Sequence, residues 1–166
     1  YTQDRQKTGR THVRGAPLPE GLFHLVVHVW LKNSRGQYLI SQRAESRPSF
    51  PLMWETTGGS VLTGEDSLQG ALREAREELG IRLRPENGRL LFSRVRDYAG
   101  GRRFGDIVDV WLFGFDGAAD LSLADGEVKT AQWMDKTQVA RLLESGAMVS
   151  TLSYFVEDID YGIAGT

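Results

Sequence analysis

The chain of 166 residues contains no cysteine and only three histidines. It can therefore form neither disulfides nor thiolate metal sites, and it has no cysteine nucleophile. The lack of disulfides suits a reducing compartment, so we expect a cytoplasmic protein. A net charge of -2 lacks the basic excess of nucleic-acid-binding proteins. No apolar run approaches the ~20 residues of a membrane span. The sequence begins at Tyr1 rather than methionine, so we expect upstream residues in the full protein.

The remaining composition, with 40% hydrophobic residues, is enough to bury a core, and we expect one domain over residues 1–166. Alternating or β-branched apolar stretches predict strands, and the spacing of apolar residues elsewhere predicts helices. The predicted strands are 24–32, 37–43, 89–98, 106–115 and 128–134, and the predicted helices are residues near 66–79, 136–145 and 151–160. The turn at 33–36 predicts a hairpin between the first two strands, and 47–51, 99–103 and 116–126 are predicted loops. Interleaved strands and helices indicate an α/β fold.

The first predicted helix concentrates carboxylates on one side. At about 100° per residue, Glu74, Glu77 and Glu78 fall within an arc of roughly 100°. Leu68, Ala71, Leu72, Ala75 and Leu79 fall on another face, so we expect packing on that face and exposed charge on the acidic one. Like charges at these spacings repel, and a bound cation would relieve the repulsion. Carboxylate ligands favour magnesium, calcium or manganese over zinc.

The residues around this helix support the same interpretation. Gly58, Gly59 and Gly64 give the preceding loop backbone freedom for close approach to a ligand. Arg73 could bridge back to Glu65 and fix the loop against the helix, which Gly80 would then end.

The order Gly59, five residues, Glu65, seven residues, then Arg73 to Ile81 resembles the signature of the Nudix hydrolases, a box over residues 59–81. Ala75 is the one departure, because a larger aliphatic residue is usual there. The resemblance implies an α/β/α sandwich with a mixed sheet. It also implies magnesium-dependent cleavage of a nucleoside diphosphate linked to another moiety, with manganese as an alternative to magnesium. It implies metal ligation by Glu74, Glu77, Glu78 and the Gly58 carbonyl, with Gly59 close to the substrate. Glu65 and Arg73 would support the loop, and Glu65 could touch the metal through water.

Other residues carry open alternatives. The family adds a carboxylate from a later loop as ligand or general base, and Glu127 is either that group or an ordinary loop carboxylate. Arg43 either contacts substrate phosphate or forms a surface ion pair, and Arg47 and the pair Arg102–Arg103 are weaker candidates, since turn arginines are usually solvated. Tryptophans 30, 54 and 111 either stack on a base or, more often in strands, belong to the core.

A second resemblance, over roughly residues 20–133, is to isopentenyl-diphosphate isomerase, a Nudix-fold enzyme. That enzyme relies on a cysteine near the position of Thr57–Gly58 and on several histidine metal ligands. Only one of those histidines has a counterpart in this chain, His24, and we favour the interpretation that His24 is simply a polar residue at a strand end. A hydrolase is therefore favoured, with an isomerase second and a non-catalytic Nudix-fold binding module third. We expect a small-molecule diphosphate substrate, no nucleic-acid polymer and no membrane, and we leave a homodimer open.

Overall fold

The computed structural model describes residues 1–13, 15–99, 102–123 and 126–159. The strands are β1 (His24–Lys32), β2 (Tyr38–Arg43), β3 (Trp54–Glu55), β4 (Thr57–Ser60), β5 (Gly88–Ala99), β6 (Arg102–Gly114) and β7 (Val128–Met134). The helices are α1 (Ser67–Leu79) and α2 (Lys136–Glu144), with shorter helical turns at Pro85–Asn87, Leu121–Leu123, Ser150–Leu152 and Phe155–Ile159. No helix within these ranges is long and apolar enough to cross a membrane.

The sheet is mixed and follows the order β3-β2-β1-β6-β5, with β4 paired to β1 and β7 paired to β2. Strands β1 and β6 are parallel, and the other pairs are antiparallel. The predicted hairpin is only partly present, because β1 and β2 pair at Lys32 and Tyr38 alone. Strand β2 pairs with β7 along its whole length, from Tyr38 to Arg43, and β1 pairs with β4 through residues 26–29.

Side chains alternate along β1, and each face of the sheet receives its own core. Val27, Val29 and Leu31 pack with Ala71 and Leu79 of α1. Trp30 faces the opposite side and packs with Val139 of α2 and Phe155 of the last helical turn. Helices thus cover both faces, which confirms the predicted α/β/α sandwich.

Helix α1 has defined ends, because both termini are capped. The Asp66 side chain accepts from the Gln69 amide, and the Gln69 side chain returns a bond to the Asp66 amide. At the other end, Gly80 takes a left-handed conformation with φ 67°, which glycine adopts without steric cost. The expected end at Gly80 is confirmed.

The segment predicted to be helical over 151–160 forms only short turns, at Ser150–Leu152 and Phe155–Ile159. Residues 100–101, 124–125 and 160, which belong to the predicted loops and helix, lie outside the described residues, as do the side chain of Arg102 and residues 161–166.

Candidate active site

The acidic residues of α1 lie next to β4, the strand that pairs with residues 26–29 of β1. Glu74 and Glu78 are each only 8% exposed, so the expectation that all three glutamates stand on an exposed face is wrong for these two. The physical reason is the glycine pair in β4. A methyl group at Gly59 would overlap the Glu74 carboxylate, and with hydrogen there the carboxylate reaches the strand backbone. Glu77 does face solvent, with 59% of its side chain exposed.

Glu78 is held by β4 itself. Its Oε2 accepts a hydrogen bond from the Thr57 hydroxyl and another from the Gly58 amide at 3.2 Å. Burial raises the pKa of Glu78 to about 8, and the charges of Glu55 and Glu74 add to this effect, while the two hydrogen bonds oppose it. The structure therefore places a carboxylate where its negative charge is poorly solvated.

Arg73 joins the loop before α1 to the acidic cluster, as the sequence predicted for its pair with Glu65. Its Nε donates to Glu65 Oε1 at 2.8 Å, and its Nη2 donates to the Ser60 carbonyl at 2.9 Å. Its Nη1 donates both to Glu74 Oε1 at 2.8 Å and to Glu77 Oε2 at 2.9 Å. Burial alone would lower the pKa of Arg73, but these carboxylates outweigh it and raise the pKa. The repulsion expected between the glutamates is thus partly neutralised by Arg73.

Glu55 is a site residue that the sequence analysis missed. Burial raises its pKa, and Arg43 opposes that shift through a two-pronged contact, with Nη1 at 2.7 and 2.8 Å from the carboxylate oxygens. The charge of Glu55 acts directly on Glu78. In an extended chain, residues 55 and 57 share a face, so a strand prediction there would have placed Glu55 beside Thr57 and hence Glu78.

Arg43 thus forms an ion pair, which was one of its two alternatives, and this pair is mostly buried: 11% of the Arg43 side chain and 18% of the Glu55 side chain are exposed. Arg47 Nη1 lies 2.5 Å from Glu127 Oε1. The charges of Arg47 and Glu127 both act on Glu55. The predicted substrate-binding residues Arg43 and Arg47 and the predicted later-loop carboxylate Glu127 therefore all interact electrostatically with Glu55. Glu55 in turn interacts with Glu78 of the acidic cluster.

Arg103 lies elsewhere. It bonds Asp97 at 3.0 Å and the Leu18 carbonyl at 2.7 Å, which ties the β5–β6 hairpin to the segment before β1.

The histidines and tryptophans have structural partners. His24 Nδ1 lies 3.1 Å from the Gly105 carbonyl, in keeping with a polar residue at a strand end. Tyr154 Oη lies 2.8 Å from His28 Nδ1 and accepts from Trp30 Nε1 at 3.1 Å, which leaves the hydroxyl hydrogen for His28. Burial lowers the pKa of His28 to about 3, with a smaller contribution from Arg96, so the ring is neutral. Trp30 is fully buried in the core.

The donor set at this site suits a hard divalent cation, since Glu55, Glu74 and Glu78 offer carboxylate oxygens next to the backbone of β4. The raised pKa of Glu78 points the same way, because a cation there would stabilise the charged carboxylate. Within the described ranges, no three acidic or histidine side chains are already gathered around one point. Arg73 accounts for this in part, because its guanidinium lies between Glu74 and Glu77.

Comparison with known proteins places the chain in a family. The NUDIX domain family matches residues 22–154. The chain is 37% identical over 149 residues to an uncharacterized Nudix hydrolase of Listeria monocytogenes, covering 89% of this chain and 84% of the relative. It is 30% identical over 142 residues to isopentenyl-diphosphate delta-isomerase of Shigella flexneri, covering 83% of this chain and 76% of the relative.

Solved structures share the fold. A MutT protein from Methanosarcina mazei superposes with a TM-score of 0.67 at 21% identity, covering 87% of this chain and 97% of the other. An Ap4A hydrolase from C. elegans superposes with a TM-score of 0.59 at 18% identity, covering 85% of this chain and 99% of the other. With its box, its sandwich and its matching relatives together, the chain belongs to the Nudix family.

Proposed function

We propose that the chain is a metal-dependent Nudix diphosphohydrolase that cleaves a phosphoanhydride bond in a nucleoside diphosphate linked to another moiety. The observation that carries this proposal is the burial of Glu74 and Glu78 against the glycines of β4. Packing alone would favour apolar residues at such positions, because burial disfavours a charged carboxylate even where hydrogen bonds offset part of the effect, as they do at Glu78. A cation-binding role explains why carboxylates stand there.

The proposed metal ligands are Glu74, Glu78 and the Gly58 carbonyl, with Glu77 completing the set from the exposed side of α1. Magnesium, or manganese in its place, would neutralise phosphate charge and lower the pKa of a water molecule that attacks phosphorus. Glu55 is a further carboxylate beside this set, coupled to Glu78 by its charge.

The other residues are assigned to positioning and proton transfer. Arg73 and Glu65 hold the loop after β4 in place through the 2.8 Å contact between them. Gly59 leaves room for the Glu74 carboxylate against β4, and we assign this stretch of backbone to the approach of a substrate phosphate. Arg43 and Arg47 are assigned to the substrate phosphates, which would replace the carboxylates of Glu55 and Glu127 as partners of their guanidinium groups. Glu127 is 46% exposed, and we assign it as the general base that takes the proton from the attacking water.

An isomerase function has less support. Isomerisation of an unactivated double bond requires one group that protonates carbon and another that removes a proton on the opposite side. The chain has no cysteine, and Thr57, the hydroxyl residue near the equivalent position, donates to Glu78 instead.

The test is a phosphate-release screen with magnesium or manganese over nucleoside triphosphates, nucleoside diphosphate sugars, dinucleotides and prenyl diphosphates. We expect hydrolysis of at least one nucleotide substrate that disappears with a chelator. We also expect a loss of at least about 100-fold in kcat for Glu78→Gln, because the variant keeps the shape and removes the charge. Glu77→Gln should lose activity less, because Glu77 faces solvent and bonds Arg73.

The matched control is Glu86→Gln, which changes an exposed glutamate in the turn after α1. It should leave kcat unchanged, and circular dichroism should show that all three variants remain folded. Near-normal activity of Glu78→Gln, or hydrolysis that survives metal removal, would contradict the proposal.

A further inference from the structure

A cavity of about 350 Å³ lies between the segment before β1 and the loop that joins β4 to α1. We call residues 1–13 the N-terminal strap and residues 61–65 the box loop. Both line the cavity, and Phe23, Leu25 and Val61 form an apolar floor between them. The volume falls within the range of small-molecule binding sites.

The strap is fixed in place at two points, so this cavity has a defined wall. The Phe23 amide donates to the Tyr1 carbonyl at 2.9 Å. Arg5 reaches the fully buried Asp109 of β6, with Nη1 2.6 Å from Oδ1 and Nη2 2.5 Å from Oδ2. Ser93 also donates to Asp109, at 2.5 Å. A buried carboxylate that depends on a strap residue holds the strap against the sheet.

The charges around the cavity are unbalanced. Lys7 and Arg10 line it from the strap. Among the described residues that line the cavity, Glu65 is the one carboxylate, and Arg73 already binds both of its oxygens. Across the described ranges, neither the Lys7 nor the Arg10 side chain is bonded to a carboxylate. Two exposed cationic side chains without a carboxylate partner therefore border the cavity beside its apolar floor, which fits an organic anion.

The cavity also adjoins the proposed diphosphate site. Glu65 borders the cavity and bonds Arg73, which bonds Glu74 in turn. Val61 of the floor follows Gly59 by two residues, a separation of about 7 Å along an extended chain. A group attached to a diphosphate at Gly59 and Glu74 can therefore reach the floor.

We propose that this cavity binds the part of the substrate that lies beyond the scissile diphosphate, and that this part carries an anionic group of its own, such as a phosphate monoester, held by Lys7 and Arg10. This inference rests on the proposed function and extends it to a substrate class: diphosphates whose organic moiety is itself phosphorylated.

The experiment compares substrates that differ by one phosphate, NADPH against NADH and coenzyme A against dephospho-coenzyme A. In at least one pair, kcat/KM should be about tenfold higher for the phosphorylated member, as expected for one charge-assisted contact. The double variant Lys7→Glu/Arg10→Glu should bring that ratio to about one. The control Arg84→Glu, an exposed arginine after α1, should keep the wild-type ratio. Equal rates within both pairs, or a preference that survives the double variant, overturns the inference.

A binding measurement separates this inference from the proposed function. Adenosine 3′,5′-bisphosphate has no phosphoanhydride bond, so its affinity relative to AMP, measured by calorimetry, does not depend on turnover. Tighter binding of the bisphosphate that is lost in the double variant supports the cavity even if no substrate is hydrolysed. Where hydrolysis occurs, the bisphosphate should inhibit competitively. Activation by it would assign the cavity to a free effector and would overturn the substrate assignment, as would binding no tighter than that of AMP.

Discussion

At the scale of single residues, Glu78 is a buried group whose charged form destabilises the folded protein. The carboxylate accepts bonds from Thr57 and the Gly58 amide, yet burial still raises its pKa to about 8. An unfolded glutamate titrates near 4.5, so the folded protein binds the proton more tightly than the unfolded chain does. The free energy of unfolding that Glu78 contributes is therefore greatest below the unfolded pKa and is lost as the pH rises through the folded one.

We predict that the protein, kept free of divalent metal by a chelator, becomes less stable between about pH 5 and pH 8. Each pKa unit corresponds to about 1.4 kcal/mol, so the shift of Glu78 sets an upper bound of about 5 kcal/mol on the loss. Urea unfolding at several pH values measures it, and Glu78→Gln should flatten the decline. Added magnesium should flatten it too, because the cation takes the place of the proton. An equal slope in wild type and variant would contradict the assigned pKa.

At the scale of secondary structure, the strands that were predicted correctly are those marked by the local sequence. The bounds of β1 and β7 were predicted correctly, because apolar and β-branched residues are concentrated in both. The strands β3 and β4 were missed. Gly58 and Gly59 have low strand propensity, and β4 is a strand because Val26 to Val29 of β1 pair with it. Such pairing joins residues about 30 positions apart and leaves no mark within a local window.

The same limit applies to the candidate site. The box motif specified Glu74, Glu78 and the Arg73–Glu65 pair, since these depend on spacing along one loop and one helix. Glu55 was missed because its place beside Glu78 follows from the position of β4. The burial of Glu74 also could not be predicted from helix geometry, because it depends on the packing of α1 against the two glycines of β4.

The glycines of β4 give a prediction that separates fold from site. A methyl group at Gly58 would overlap the Val27 backbone, which cannot move cheaply, whereas one at Gly59 meets the end of the flexible Glu74 side chain. Gly58→Ala should therefore destabilise the protein by about 2 kcal/mol or more. Gly59→Ala should change the melting temperature little and lower metal-dependent hydrolysis at least about tenfold, because Glu74 is displaced.

Thermal melts and rate measurements on the two variants test this contrast. Gly114→Ala is the matched control, since a methyl group there has nothing within 4 Å and no left-handed backbone conformation opposes it. If Gly59→Ala keeps full activity, Glu74 does not need its place against β4.

At the scale of the whole molecule, the N-terminal strap is part of the folded unit. Its Arg5 neutralises Asp109, which is buried within β6 next to β1. We predict that Arg5→Gln lowers the free energy of unfolding by about 1–2 kcal/mol, less than for a fully buried pair because 40% of the Arg5 side chain is exposed. Urea unfolding at pH 7 measures this. Arg10→Gln, on the same strap with no carboxylate bonded to it in the described ranges, should leave stability unchanged. Equal effects of the two variants would show that Asp109 does not depend on Arg5.

The relatives of the chain include both a Nudix hydrolase and an isomerase, so the reaction has to be decided by chemistry that the whole molecule supplies. Proton transfer to carbon on one side of a double bond and from carbon on the other needs two suitably placed acids or bases. The chain supplies carboxylates for one role, and in the absence of cysteine it offers Thr57, near the position of the isomerase's cysteine, for the other. A neutral hydroxyl that already donates to Glu78 is too weak an acid for that step.

We therefore predict that isopentenyl diphosphate with magnesium yields no dimethylallyl diphosphate, measured by NMR over hours at micromolar protein. The same preparation should hydrolyse its best nucleotide substrate within that time, which shows that the protein is active. Hydrolysis requires only an activated water and a base, and in the proposed function the carboxylates of the site provide these by holding the cation and accepting a proton. Appearance of the allylic product at an enzyme-like rate would instead assign the buried carboxylates to isomerisation. It would also mean that a group other than a thiol serves as the second proton-transfer residue on this chain.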